Sequence, residues 1–324
     1  MLSYLISMAT FVGFFMILAL ALNLQWGMTG MVNFGIAGFY ALGAYTSGLL
    51  TVEAGWPFLF GVAAAAVLGL AFGVALSFLS MRLRDDFLAI VTLGFAELVR
   101  LFALNEDWLT RGPRGLPIDV RPLSGVFGRD GYAAFYLAIV AVVVLAAFLV
   151  NERIRRSPYG RVAKAIREDD VVAEVLGKNV LRFRVQVFGI GALFMAVAGA
   201  LYAHYTQNIS PDHFTPVVAI FIWMSVIAGG AGNNKGLLLG AGLVMMFLEG
   251  TRFLGEFIAF LDAEKASAVR IILIGVLLIL VIRFRPQGLM PEEKFKGTGE
   301  PAPEARHGKF VMQGLNRQNS KKGG

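Results

Sequence analysis

The chain has no cysteine among its 324 residues. That excludes disulfide frameworks, thiol catalysis and cysteine-type zinc sites. Histidine is almost as scarce. His204, His213 and His307 are too few and too scattered to form a metal cluster, and neither a metal site nor a cofactor is expected. Charge is thin as well. Charged residues make up 16% of the chain and hydrophobic ones 57%, against about 25% and about 45–50% in a soluble domain. From Met1 to Val52 there is no Asp, Glu, Lys or Arg. A soluble fold could not keep so long an uncharged, apolar stretch solvated. The first ten residues also lack the basic region of a secretory signal, so residues 4–24 read as a first membrane span.

Recognisable catalytic patterns are missing too. There is no Ser/His/Asp or HExxH pattern. Gly229–Gly236 (GGAGNNKG) has glycines and a lysine but neither the order nor the Ser/Thr of a phosphate-binding loop. The chain is not expected to hydrolyse ATP or to be an enzyme. The net charge of +7 could suggest nucleic acid. Its basic residues, however, sit at the ends of apolar runs, where membrane topology explains them, and no nucleic-acid partner is expected.

What the sequence does have is apolar runs. About 20 apolar residues in a helix cross the hydrocarbon core, and a helix satisfies its own backbone there. Candidate spans are 4–24, 31–51, 57–80, 87–104, 132–151, 185–205, 217–229, 237–251 and 269–283. The expected fold class is all-α: a polytopic transmembrane helical bundle of about eight or nine spans, some short or broken. Residues 217–251 read either as two spans or as two half-helices meeting at Gly229–Gly236. Arg82–Asp86, Glu152–Arg184, Lys235 and the tail from Arg283 together hold 21 Lys/Arg; Asn105–Asp130 and Arg252–Arg270 hold 7. The positive-inside rule places the first set, and with it the C-terminus, in the cytoplasm. Residues 1–296 read as the membrane domain. Residues 297–324, rich in Gly, Pro and charge, read as a disordered cytoplasmic tail with at most weak contact to anionic lipid.

Glycine is abundant, at 38 residues, and small residues let membrane helices approach closely. Gly69/Gly73 and Gly236/Gly240 have that spacing. Two glycine-dense regions, Gly27–Gly48 and Gly229–Gly242, interrupt or begin spans, and matching interruptions in two halves point to a transport pathway and a two-fold internal repeat. Asn23, Thr29 and Asn33 beside the first region, with Thr92, are candidate pathway residues. Glu97/Arg100 and Glu249/Arg252 each place an acid and a base one helical turn apart. They read as local ion pairs or, alternatively, as direct participants in passage.

The most informative polar segment is Glu152–Arg184. Ser157-Pro158 is a helix start, with Ser as cap and Pro at the first position. Asp169 and Asp170 suit a second helix N-terminus. Val172, Ala173 and Leu176 give that helix an apolar side, and Gly177 can end it. Two short amphipathic helices are expected, either as a docking surface for a cytoplasmic protein or as a connector lying on lipid headgroups.

Several stretches together resemble the M-type permease subunit of bacterial branched-chain amino acid ABC transporters. They are ALNLQWGMTGMVNFGIAGFYALGAY (21–45), LRDDFLAIVTLGFAELVR (83–100), SPYGRVAKAIREDDVVAEVLGKNV (157–180), AVAGALYAHYTQNISPDHFTP (196–216), VIAGGAGNNKG (226–236) and RFRPQGLM (283–290). The resemblance implies an importer subunit in the bacterial inner membrane. It implies a second related permease subunit, two cytoplasmic ATP-binding subunits, and a periplasmic or external solute-binding protein as partners. It places the ATPase-coupling segment over Arg167, Glu168, Asp169, Asp170, Ala173, Glu174, Leu176 and Gly177. Thr110–Leu116 (TRGPRGL) departs from the glycine-rich pattern of the family, and relatives also carry urea, short amides or aromatic acids. An ion-gradient-driven secondary transporter is the reading from a different class.

Overall fold

The computed structural model describes residues 2–80, 85–120 and 129–250, with 272, 275–276, 279–280, 283–285 and 287–292. Arg252, most of the expected span 269–283 and the tail 297–324 lie outside the described residues.

Eleven α-helices run along this part of the chain. They are α1 (Leu2–Thr29), α2 (Ile36–Val52), α3 (Phe58–Ser80), α4 (Asp85–Asn105), α5 (Asp107–Thr110), α6 (Arg129–Arg156), α7 (Pro158–Glu168), α8 (Asp170–Val175), α9 (Val180–Thr206), α10 (Pro216–Gly229) and α11 (Asn234–Gly250). Among the described residues, six helical stretches are long and apolar enough to cross a membrane: Ser3–Thr29, Phe58–Leu79, Phe87–Asn105, Gly131–Arg156, Val180–Thr206 and Pro211–Gly229. The last becomes long enough because a 3-10 turn, Pro211–Phe214, leads into α10. The apolar helix α2 is shorter, as is α11. Large apolar side chains such as Leu59, Leu79, Ile90, Leu98 and Val142 stand exposed along α3, α4 and α6. In water such a surface would drive aggregation; against lipid tails it is at home. The chain is a multi-pass membrane protein.

Helix α9 is the centre of the bundle, with α1, α2 and α3 packed around it. Small residues make the closest contacts. A Cβ on Gly199 would overlap the Tyr40 carbonyl of α2, and one on Gly43 would overlap the Ala196 carbonyl of α9. Gly69 and Gly73 of α3 likewise abut Ala196 and Ala192, as their spacing predicts. Gly236 and Gly240 back onto Gly229 and Ser225, so α10 and α11 form a tight hairpin about a turn at 230–233.

Among the described residues the departure from an all-helical fold is one small ribbon. Leu116–Pro117 (β1) pairs antiparallel with Asn208–Ile209 (β2), Leu116 opposite Ile209. The ribbon closes the end of the bundle that holds Thr51, Asn105 and His204. There His204 Nε2 meets Ser47 Oγ at 2.9 Å, and its Nδ1 lies 3.2 Å from the Val120 carbonyl. The opposite end gathers the C-termini of α1, α6 and α10 with α7 and α8.

Candidate functional site

Two helices are separated by a short unwound stretch in the heart of this fold. Gly30 adopts φ +77 and stops α1 in a left-handed turn. Its N–H donates to the Trp26 carbonyl at 2.9 Å and that of Met31 to the Gln25 carbonyl at 3.2 Å. The chain then stays non-helical until α2 begins at Ile36. Phe34 meets Thr92, seven residues into α4, which is about 10 Å from the helix start at 1.5 Å per residue. Irregular backbone at such a depth survives only when buried in protein or lining a cavity.

The sequence supplies the compensating groups. The Phe34 N–H donates to Thr92 Oγ1 at 3.0 Å, and the Gly35 N–H to Asn33 Oδ1 at 2.6 Å. Asn33 Nδ2 donates to Gln25 Oε1 at 2.7 Å, and Gln25 Nε2 to the Phe188 carbonyl at 2.9 Å. Trp223 Nε1–H donates to the Asn33 carbonyl at 2.9 Å. The Trp223 ring stacks on Phe34, with Trp26 edge-on at 4.8 Å between centroids. Thr29 Oγ1 donates to the Gln25 carbonyl at 2.7 Å. Asn23, Thr29, Asn33 and Thr92 are all fully buried. Of the four, Asn33 and Thr92 bond to the break itself, Thr29 closes on its own helix, and Asn23 turns toward the α10–α11 turn.

The two glycine-dense regions meet here. Gly232 N–H donates to Asn23 Oδ1 at 2.8 Å, Asn23 Nδ2 to Asn234 Oδ1 at 3.0 Å, and Asn234 Nδ2 to Glu152 Oε2 at 3.0 Å. The carboxylate can only accept and the backbone N–H can only donate, so the ends of the chain set both amide orientations. Arg155 and Arg156 neutralise Glu152, each at 2.6 Å.

The segment after α6 folds as its residues predict. Ser157 Oγ accepts from the Gly160 N–H at 3.2 Å and caps α7, with Pro158 at its first position. Asp169 Oδ1 accepts from the Val172 N–H at 2.9 Å and caps α8. Gly177 follows in the left-handed region, φ +76. The faces differ from the simplest reading. Ala173 is buried, while Val171, Val172, Val175 and Leu176 are 65%, 53%, 82% and 71% exposed. Glu168 and Asp169 are exposed beside them, and Asp170 pairs with Arg184 at 3.2 Å. Arg167 turns inward, donating to the Gly27 carbonyl and to Glu292 Oε2, the latter at 2.9 Å. Lys164 also reaches Glu292, at 2.5 Å.

The predicted acid–base pairs fare separately. Arg100 grips Glu97 through Nε and Nη2. Glu249 accepts from Tyr4 Oη at 3.4 Å, and Arg252 is outside the described residues. At the ribbon end, Arg111 lies 3.7 Å from Glu53 in an exposed pair, of a kind worth little in stability. Sequence reasoning missed Gln25, Asn234, Lys164 and Glu292. An uncharged Gln five residues before the glycine break and the doubled Asn233-Asn234 were the available signals.

The fold is thus a bundle of apolar helices with a buried, hydrogen-bonded break and an exposed two-helix loop. The family model described as branched-chain amino acid transport system, permease component, matches residues 4–282. The chain belongs to this permease family. The permease is 34% identical to the high-affinity branched-chain amino acid transport system permease protein LivM of Salmonella typhimurium over 309 residues, covering 88% of this chain and 70% of that one. It is 28% identical to the probable branched-chain amino acid transport permease protein LivM of Methanocaldococcus jannaschii, covering 87% and 91%. It is also 27% identical to the permease protein LivH of Escherichia coli K12, covering 85% and 90%. No solved structure matches the permease.

Proposed function

We propose that this permease is one of two membrane subunits of an ATP-binding-cassette importer that carries branched-chain amino acids across the bacterial inner membrane. The family and the names of its relatives support the substrate class. The lack of a phosphate-binding loop supports a division of labour, in which two separate cytoplasmic subunits hydrolyse ATP and this chain is not an enzyme. A LivH-like second permease completes the pathway, and a periplasmic or external solute-binding protein delivers the amino acid. The concentration of basic residues at the loop end supports a cytoplasmic position for that end and for the C-terminus.

The observation that carries the reading is α8. Three valines standing in solvent on a six-residue helix, with Leu176 exposed just after it, need a partner surface. Exposed Glu168 and Asp169 at its start add charge for orientation. ATP-driven closure of the bound ATPases would move α7 and α8, and through them the helices that flank the break at 30–35. Broken-helix ends offer polar contacts to a zwitterion in such a pathway.

Val175→Glu with Leu176→Glu tests this. Both side chains are exposed, so the variant inserts normally. Co-purification of the ATP-binding subunits is expected to be lost. Retention of stoichiometric ATPase would refute the docking assignment.

A further inference from the structure

One carboxylate ties together three parts of the chain that are far apart in sequence. Residues 287–292 lie along the α10–α11 turn, with the Leu289 N–H donating to the Ala228 carbonyl at 2.8 Å and the Met290 N–H to the Gly229 carbonyl at 3.1 Å. Asn233 Nδ2 holds the Pro291 carbonyl at 3.0 Å. This fixes Glu292 directly against Gly232, where a Cβ would collide with its carboxyl group. The carboxylate then receives Lys164 Nζ at 2.5 Å and Arg167 Nη2 at 2.9 Å, both from α7. The other arm of Arg167 donates to the Gly27 carbonyl, in the last turn of α1 and three residues before the break. Gly232 in turn donates to Asn23 of α1.

We infer that Glu292 and Arg167 are positioning residues that transmit motion of the α7–α8 loop to the end of α1, and so to the unwound segment 30–35. The inference rests on the docking role proposed for α8. The geometry favours transmission over mere anchoring. Lys164 alone would tether α7 to the turn, whereas the forked guanidinium of Arg167 holds the carboxylate and the α1 carbonyl at once. A planar fork spans two acceptors in a fixed geometry, which a lysine ammonium on a flexible stem does not reproduce. Because the Gly27 carbonyl is among the last of α1, it has no helical N–H to satisfy it, and Arg167 fills that position. Displacement of α7 therefore either pulls on α1 or leaves both Glu292 and the Gly27 carbonyl short of a partner.

The test uses the full assembly in proteoliposomes, with leucine uptake and ATP hydrolysis measured on the same preparation. Glu292→Gln and Arg167→Lys are compared with wild type and with Arg161→Gln, an exposed change on α7. The two clasp variants are expected to co-purify with the ATPases and to hydrolyse ATP, while uptake per ATP falls about tenfold, the scale of one lost charge-assisted hydrogen bond. Arg161→Gln should keep the wild-type ratio. Arg167→Lys preserves a cation beside Glu292, so it carries the test if Glu292→Gln fails to accumulate. Wild-type uptake per ATP in both clasp variants would overturn the inference and leave the docking reading standing. Failure of the wild-type chain to bind the ATPases would overturn both.

Discussion

Trp223 donates its indole N–H to the carbonyl of Asn33 at 2.9 Å, reaching from the apolar helix α10 into the one stretch of buried chain between α1 and α2 that has no helix to satisfy it. Trp223→Phe keeps a ring against Phe34 and Trp26 but removes the donor. The expected cost is about 0.6–1.7 kcal/mol, the scale of a hydrogen bond inside a membrane protein. Thermal unfolding in detergent should show it as a lower midpoint, with Trp223→Leu lower still.

Packing around α9 makes a sharper prediction. Gly199→Ala forces a Cβ onto the Tyr40 carbonyl, and backbone atoms cannot swing aside as a side chain can. Overpacking of this kind costs about 1–3 kcal/mol. Gly94→Ala is the matched control, since nothing lies within 4 Å of its added Cβ. The first variant should yield less folded permease by gel filtration, and the second should match wild type.

Acid should loosen the clasp. Burial alone would push the Glu292 carboxyl up, but the hydrogen bonds from Lys164 and Arg167 outweigh it and hold it below the usual glutamate value. A carboxyl lowered in the folded state contributes stability that is fully present above its unfolded value. That contribution is lost as pH falls through the lowered folded value. The stability gap between wild type and Glu292→Gln should therefore be constant near neutrality and shrink below the ordinary glutamate range. A gap independent of pH would speak against the ion pair.

For Glu97 and Arg100 the expected result is mutual dependence. The two share a bidentate contact within α4. Glu97→Gln and Arg100→Gln should each reduce uptake, whereas the swap Glu97→Arg with Arg100→Glu should restore most of it. A swap as inactive as either single change would favour direct participation in passage.

Much of this architecture is visible in sequence because the bilayer imposes a coarse rule. The uncharged run from Met1 to Val52 could go nowhere else. Ser157-Pro158 and Asp169 mark helix starts because capping is local chemistry. The site was less legible because its contacts are distant. Asn23 and Asn234 are 211 residues apart, and nothing near either one announces the pairing. Glu292 looked like part of a charged tail until the backbone bonds of Leu289 and Met290 drew it under the α10–α11 turn. The short α8 helix is legible from its Asp169 cap, but its buried face is not. Val171 and Val175 are exposed there because Ala173, the smallest apolar residue, is the one that fits against the bundle.

Energy source separates this account from any other most directly. Proteoliposomes containing this chain, a LivH-like partner, the two ATP-binding subunits and the solute-binding protein are predicted to accumulate labelled leucine only when ATP is supplied. Vesicles holding this chain alone should accumulate none under a proton or sodium gradient. Gradient-driven uptake by the chain alone would contradict the account.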